Sequence, residues 1–417
     1  MVTTIALYSH DSVGLGHARR NRALAHALDE HLPQLTGGPV RGLLVVGTPD
    51  VAGDTLPPGW DWLVLPGVAP AGAGHHAPRH LGVSMAELAA VRGAVVDAAL
   101  SALAPDLLVV DRHPFGVAGE LRSTVERQRR RGCRTVLGLR EVLDDPEVTT
   151  AEWDRLGGPA TIAEAYDAVW IYGDPGVYDP RLSGEVPPPL AKLATATGYL
   201  ARGRPDDGAA SWPPRQRGAD LEVPSDTAGL VLTVLGGGSD GVELARESAR
   251  AEVPAGHQHL VVTGPQMSAA DVAAVRAVAG ASTTVTTGVD HLPALLGRAA
   301  AVVCMGGYNT LTEVMATDTP ALVVPRDQRR NEQRRRAAAL AAAGAVETLS
   351  MATLEPARIT EFLAQSVRRR TDRSRIDLAG LTRVPRLAAD LVARPARTQP
   401  CRREAGVLVA GGQTHAG

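Results

Sequence analysis

The hydrophobic pattern of this chain alternates between short apolar runs and longer stretches in which apolar residues recur at helical spacing. The first apolar run, Thr3–Tyr8, leads into a glycine-containing turn, and a helical pattern starts near His17. A strand, a Gly-rich turn and a helix, in that order, are how a doubly wound domain opens. We therefore predict an α/β protein built from parallel sheets that carry helices on both faces.

The first half of the chain continues this alternation. Strands are predicted at residues 43–46, 62–65, 107–110, 135–139 and 168–171. Helices are predicted at residues 84–103, 115–130 and 151–166. Residues 66–81 form a long loop rich in Gly, Pro and His, and loops of that length are often functional.

The same alternation returns after a polar segment rich in Pro and Gly, residues 201–228, whose composition is that of a linker. Strands follow at 229–235, 259–263, 284–287, 300–304 and 320–324, and two helices at 356–368 and 376–392. We therefore divide the chain into an N-terminal domain (1–200), a linker (201–228) and a C-terminal domain (229–393). The polar tail, residues 394–417, is expected to be disordered.

The bulk properties exclude several classes of protein. A formal net charge of −2 gives no general attraction to nucleic acid or anionic membranes. No apolar run reaches the roughly 20 residues that a spanning helix needs. The three cysteines form no CxxC pair, and sparse cysteines suit a reducing compartment. We expect a cytoplasmic protein with neither a nucleic-acid partner nor a metal or other cofactor.

The glycine-rich turn at residues 236–241 matches GxGxxG, the phosphate-binding pattern of dinucleotide-binding domains. That pattern also requires an acidic residue after the next strand, where it binds the ribose. Here the next strand ends in Gly264, Pro265 and Gln266. The glycines therefore favour close approach of a phosphate to the backbone without indicating a nicotinamide cofactor.

The stretch GGYNTLTEVMATDTPALVVPRDQRRNEQ, residues 306–333, is the most specific signal in the chain. It contains a glycine pair at a strand end, Thr310 and Glu313 in the next helix, and Gln333 at the end of a polar run. This stretch resembles the donor-site signature of GT-B glycosyltransferases, most closely family 28. The resemblance implies two Rossmann-like domains with an active site in the cleft between them.

The resemblance also implies a set of donor-binding residues. The glycine turns would hold the diphosphate, Val289 would contact the nucleobase, and Glu313 and Gln333 would fix the ribose or sugar. The full predicted set is Gly237, Gly238, Ser239, Val289, Gly306, Gly307, Asn309, Thr310, Glu313, Arg329, Asn331 and Gln333. Six arginines lie between Arg326 and Arg336, and we expect most of them on solvated helix surface, with Arg329 reaching a phosphate.

In family 28 a histidine closes the first Gly-rich turn at the cleft, and His17 matches that position. A neutral imidazole suits the removal of a proton from an attacking hydroxyl. Asp111, at a predicted strand end, would either orient His17 or start a helix. We place His17 and Asp111 in the catalytic set, and Gly14, Gly16, His113 and Glu141 on the acceptor side, together with the loop at residues 66–81.

The implied reaction is the inverting, metal-independent transfer of a hexosyl group, with N-acetylhexosamine as one option, from a nucleotide sugar to a hydroxyl or amine. UDP is the family's usual carrier. The acceptor stays open among a lipid carrier, a glycan and a small metabolite, and a lipid acceptor would add a peripheral membrane contact. Two rivals share the architecture: a nucleotide-sugar 2-epimerase and a non-catalytic protein that binds sugar nucleotides.

Overall fold

The computed structural model describes residues 1–11, 16–49, 55–71, 76–204, 229–289, 292–327 and 330–395. Gly14, Arg329, most of the predicted linker and nearly all of the predicted tail lie outside these ranges. Within them, every helix is too short or too polar to cross a membrane.

The first lobe begins with a strand and alternates strands with helices. In chain order its elements are β1 (Thr3–Tyr8), α1 (Gly16–Thr36), β2 (Val40–Val46), β3 (Trp60–Val64), β4 (Val68–Pro70), β5 (His76–Pro78), α2 (Met85–Leu103), β6 (Leu107–Asp111), α3 (Arg122–Arg130), β7 (Arg134–Arg140), α4 (Pro146–Arg155), α5 (Gly158–Ala165), β8 (Ala168–Tyr172), α6 (Pro188–Ala191) and β9 (Ala194–Ala196).

The second lobe repeats the plan after the linker. Its elements are β10 (Gly229–Val234), α7 (Val242–Arg250), β11 (His257–Val262), α8 (Ala269–Ala277), β12 (Thr283–Thr286), α9 (Leu292–Arg298), β13 (Ala301–Cys304), α10 (Tyr308–Met315), β14 (Ala321–Val323), α11 (Glu332–Ala342), β15 (Glu347–Thr348), α12 (Pro356–Ser366) and α13 (Gly380–Val392).

Among the described residues, each lobe has one parallel sheet. The first sheet has the strand order β3-β2-β1-β6-β7-β8-β9, and the second has β12-β11-β10-β13-β14-β15. In both, the order reverses beside the lobe's first strand, so β1 neighbours β6 and β10 neighbours β13. The predicted α/β class with two doubly wound domains is confirmed.

One apolar cluster joins the two lobes. It contains Leu24 and Leu28 of α1, Leu381 and Leu391 of α13, and Tyr308 at the start of α10, all of them buried. Helix α13 packs against α1. The last helix therefore returns to the first lobe.

Three local predictions were wrong. The helix expected at residues 151–166 is interrupted between α4 and α5, because Gly157 and Gly158 both have positive φ angles, 99° and 87°. The helix expected at 115–130 starts only at Arg122, after a short 3-10 turn at Val117–Gly119. The loop at 66–81 contains the antiparallel hairpin of β4 and β5.

A buried ion pair lies beneath α2 in the first lobe. The Arg92 and Glu120 side chains are fully buried, and Arg92 Nη2 donates to Glu120 Oε1 over 2.9 Å. The Tyr8 hydroxyl donates to the same carboxylate. Removing one member of such a pair leaves an uncompensated buried charge.

We expect Arg92→Met to lower the free energy of unfolding by about 3–5 kcal/mol, because Glu120 would remain buried without its partner. Urea unfolding measures the change. Arg127→Met is the matched control: Arg127 pairs with Asp97 at the surface, with 47% of its side chain exposed, and such pairs contribute about 0–1 kcal/mol. Equal losses in the two variants would contradict the prediction.

Candidate active site

Both sheets carry predicted site residues at the point where their strand order reverses. In the first sheet, His17 follows β1, and Asp111 ends the neighbouring strand β6. In the second, the turn at residues 236–241 follows β10, and Gly306 follows the neighbouring strand β13. Open α/β sheets bind ligands at such points, at the carboxyl ends of the strands.

His17 and Asp111 are hydrogen-bonded. His17 Nδ1 lies 2.7 Å from Asp111 Oδ2, and Arg20 Nε donates to Asp111 Oδ1 over 3.2 Å. Burial by itself would raise the pKa of the Asp111 carboxyl, but Arg20 and His17 outweigh burial and hold that pKa well below its usual range. Asp111 is therefore ionised at neutral pH.

An ionised carboxylate only accepts hydrogen bonds. We therefore assign the proton of a neutral His17 to Nδ1, which leaves the Nε2 lone pair free to accept a proton. The His17 side chain is 18% exposed, whereas Asp111 is fully buried. The pair can thus act as an oriented general base, in which the carboxylate fixes the tautomer and stabilises the imidazolium that forms.

Two further histidines surround His17. The ring centroid of His10 lies 4.8 Å from that of His17 and 4.2 Å from that of His113. Burial, together with the neighbouring histidines, lowers the pKa values of His10 and His113 well below the ordinary value, so both are neutral at neutral pH. Across the described part of the chain, no group of three or more His, Cys, Asp or Glu side chains is arranged to hold a metal ion.

The turns of the second lobe surround a cavity of about 190 Å³. Six of the predicted donor-binding residues line it: Gly237, Gly238, Ser239, Gly307, Thr310 and Gln333. The lining also includes Gly16, Gly236, Asp240, Gln266 and Arg326. Helix α10 starts at this wall, with Gly307 as its N-cap and no capping side chain, and a helix N-terminus favours anionic groups.

The backbone around this cavity requires a glycine at position 238. Its φ angle is 90°, and a Cβ at this position would lie 2.2 Å from the carbonyl oxygen of Thr263. Gly307 is different, since its φ angle is −62° and a Cβ there would meet nothing within 4 Å. The backbone does not need glycine at 307, so open space for a ligand is the remaining reason for it.

Gly16 connects the cavity to the base. It lines the cavity from the first lobe, and its carbonyl oxygen accepts a hydrogen bond from Asn309 Nδ2 over 2.8 Å. His17 is the next residue in the chain. The structure therefore brings the candidate base and the candidate donor cavity together at the cleft.

Comparisons with known proteins agree with this arrangement. Residues 231–388 match the family described as "Glycosyltransferase family 28 C-terminal domain". No curated protein sequence is significantly similar to the chain. The spinosyn forosaminyltransferase is similar in structure, with a TM-score of 0.57 and 16% identity over 94% of this chain and 100% of that one.

Two ligand-bound structures share the fold. The glycosyltransferase VinC in complex with dTDP has a TM-score of 0.54 and 17% identity, over 94% of this chain and 95% of that one. UGT2 of Phytolacca americana, complexed with UDP-2-fluoroglucose and pterostilbene, has a TM-score of 0.53 and 15% identity, over 93% and 94%. The chain has the fold of the GT-B glycosyltransferases, and its second lobe matches the C-terminal domain of glycosyltransferase family 28. The family match covers its second lobe, and the fold comparisons cover both.

Several side chains predicted to face the donor contact the protein itself. In this glycosyltransferase, Asn309 is held by Gly16 and by Arg204 Nη2 at 3.0 Å. Asn331 donates its backbone N–H to Asp144 over 3.0 Å and its amide to Asp145. Val289 packs against the apolar cluster that joins the lobes. None of these three lies among the described residues that line the cavity.

Glu313 is also placed differently from the prediction. It is buried outside the cavity lining, and its Oε1 accepts from Arg19 at 2.9 Å and Arg204 at 3.2 Å. Its Oε2 is buried without a hydrogen-bond partner among the described residues. One oxygen of the predicted sugar-binding carboxylate is thus committed to the protein, and the other is unpaired.

The expectation that the arginines of residues 326–336 are solvated was wrong for most of those described. Arg330, Arg335 and Arg336 reach the first lobe, to Glu152 at 2.6 Å, Asp145 at 3.3 Å and Glu141 at 2.7 Å respectively. Arg326 pairs with Asp240 and Glu332 inside the second lobe. Glu141, predicted on the acceptor side, is thereby fully buried in an ion pair between the lobes.

Sequence reasoning missed Arg20, Arg204 and Arg336 as parts of the site. Arg20 could have been found, because it lies three residues after His17 and so shares its helix face. Arg204 and Arg336 carry no comparable signal, since their partners are more than a hundred residues away in the chain.

The ionised state of Asp111 predicts how pH affects stability. A carboxyl whose pKa is depressed in the folded protein stabilises it above its unfolded pKa, about 3.9. That contribution is lost as pH falls toward the folded pKa. We therefore expect the gap in free energy of unfolding between wild type and Asp111→Asn to narrow as pH falls from about 5 to about 2.

Urea unfolding across this pH range measures the gap. Asp318→Asn is the control, because 62% of the Asp318 side chain is exposed and its partner Arg370 is at the surface. A constant gap for Asp111→Asn would show that Asp111 does not ionise with a depressed pKa in the folded chain.

Proposed function

We propose that the chain transfers a hexosyl group from a nucleoside-diphosphate sugar, with UDP as the first carrier to test, to an acceptor hydroxyl or amine, with inversion and without a metal. One observation carries the proposal: Gly16 lines the donor cavity, and the next residue is His17, hydrogen-bonded to the ionised Asp111. This proximity supports His17 as the base that acts beside the proposed diphosphate cavity.

The proposed reaction is a single displacement. The acceptor oxygen or nitrogen attacks the anomeric carbon of the sugar, and its proton passes to His17 Nε2. The bond between the anomeric carbon and the diphosphate oxygen breaks as the new bond forms on the opposite face, which inverts the anomeric configuration. The nucleoside diphosphate leaves with the electron pair of the broken bond.

The leaving group carries the charge that must be stabilised. Gly307 is the N-cap of α10, and the turn at residues 236–241 precedes α7, so both helix starts contribute free N–H donors. Donors fixed in advance around a developing negative charge are commonly the largest single contribution to catalysis. They are also what lets us propose a transfer that needs no metal ion.

The choice of donor rests on the cavity and on related folds. Diphosphate-sized space between glycine turns suits a nucleoside-diphosphate sugar, and proteins of similar fold bind dTDP or a UDP sugar. The nucleotides in these two structures differ in base, so the base of the donor is a matter for screening, as is the acceptor. A lipid carrier, a glycan and a small metabolite are the acceptor classes to include.

We expect Gly307→Val to remove nucleoside-diphosphate binding while leaving the fold intact, because the new side chain would enter open space in the cavity. Wild type at a ligand concentration of 100 times Kd should gain about 2.7 kcal/mol of stability, which thermal-shift titration with UDP and dTDP detects. Gly82→Val is the control, since a Cβ there also meets nothing within 4 Å. Binding retained by Gly307→Val would place the diphosphate elsewhere.

We expect His17→Ala to lower kcat by about 10²- to 10⁴-fold, the usual range for loss of a general base, with unchanged affinity for the nucleoside diphosphate. Mass spectrometry of products from nucleotide sugars and an acceptor panel provides the measurement. His31→Ala is the control, because His31 lies on the same helix with a partly exposed side chain. Unchanged turnover would remove His17 from the reaction.

The same assay separates the rivals. Incubation with UDP-N-acetylglucosamine and no acceptor would yield the 2-epimer from an epimerase. Epimer without any glycoside would reject the transferase proposal. Binding without any turnover across the panel would favour a non-catalytic protein.

A further inference from the structure

Arg140, the last residue of β7, forms no ion pair with any residue that the structure describes. Its Nε is buried and has no hydrogen-bond partner among the described residues. Three arginines whose charges act on it are each paired: Arg20 with Asp111, Arg112 with Glu152, and Arg336 with Glu141. In the described part of the chain, no such carboxylate contacts Arg140.

The sheet register places Arg140 beside the candidate base. Gly138 of β7 is opposite Asp111 of β6. Arg140 is two residues farther along β7, so its side chain leaves the sheet on the same face as that of Asp111. This is the face on which α1 brings His17 and Arg20 to Asp111.

A second unpartnered polar group lies on this face. Arg140 is opposite Tyr172 of β8, and Tyr172 is fully buried. The Tyr172 hydroxyl has no hydrogen-bond partner among the described residues. Buried polar groups are normally hydrogen-bonded, so a guanidinium nitrogen and a hydroxyl that are unpaired on adjacent strands favour the binding of a polar group at this place.

The electrostatics around Arg140 favour an anion as that ligand. Burial, and then the charges of Arg336, Arg20 and Arg112, lower the pKa of Arg140 to about 9. Arg140 is therefore still charged at neutral pH. Glu332 acts in the opposite direction: its Oε1 is held by Arg326 at 2.7 Å, and its Oε2 is buried without a hydrogen-bond partner among the described residues. Neither oxygen is within ion-pair distance of Arg140 in the described part of the chain.

We propose that Arg140 binds an anionic group, a carboxylate or a phosphate, on the acceptor. This proposal rests on the proposed function. It assigns the anion to the acceptor and not to the donor because Arg140 belongs to the first lobe, on the sheet face of the base. Arg140 is also absent from the described lining of the donor cavity. A planar guanidinium matches either oxyanion with two parallel hydrogen bonds.

The test is a calorimetric titration with inorganic phosphate, and then with acetate, of the full chain saturated with UDP. We expect Arg140→Met to bind phosphate about 10- to 100-fold more weakly than wild type, the loss that removal of a charged hydrogen bond produces. Arg358→Met is the control and should bind as wild type does, because Arg358 lies on α12 with 61% of its side chain exposed. Comparing phosphate with acetate distinguishes the two sources of the anion.

Stability provides a second readout. Loss of an unpaired, partly buried cation should leave Arg140→Met at least as resistant to urea as wild type, whereas a structural arginine would make it less resistant. Arg140→Lys keeps the positive charge but lacks the planar guanidinium, and it should bind phosphate with intermediate affinity.

Two results would overturn the proposal. Equal phosphate affinity in wild type and Arg140→Met would show that Arg140 binds no anion. Competition between UDP and phosphate for the site at Arg140 would assign the residue to the donor diphosphate. If no nucleoside diphosphate binds at all, the proposed function fails, and the phosphate titration of the free protein still tests the anion site separately.

Discussion

The ion pair between Arg336 and Glu141 is the contact on which the cleft depends. Both side chains are buried, with Nε and Oε1 2.7 Å apart, and Arg336 also donates to the carbonyl oxygens of Gly306 and Val142. One guanidinium thus joins the donor turn of the second lobe to the end of β7 in the first. Removal of either partner alone would leave the other charge buried and unpaired.

Two further arginines, one just before α11 and one within it, add contacts across the cleft. Arg330 and Arg335 bind carboxylates of the first lobe, while Gln333, between them in sequence, lines the donor cavity. Gln333 and Arg335 lie two residues apart on α11, and successive residues leave a helix about 100° apart, so their side chains point in different directions. The same short segment therefore positions the lobes and forms part of the donor wall.

The fold and part of the site could be predicted because their signals are local. Gly238 has a positive φ angle in the turn that follows an apolar strand. The glycine and the preceding apolar run are both visible in the sequence, so this part of the site could be predicted. Asn309 and Glu313 also matched a family pattern, but their partners Gly16, Arg19 and Arg204 come from distant segments. A local sequence pattern does not show which distant residues will come into contact, so the roles of these side chains were not predictable.

The hydrogen bond from Asn309 to Gly16 has a consequence for how this protein can be recombined. The wall of the donor cavity crosses the boundary between the lobes, and α13, last in sequence, packs on α1. A chimera that takes only its C-terminal half from a relative would inherit an incomplete sugar-nucleotide pocket. To transfer donor specificity, the chimera would also need the first turn of α1 from the same relative.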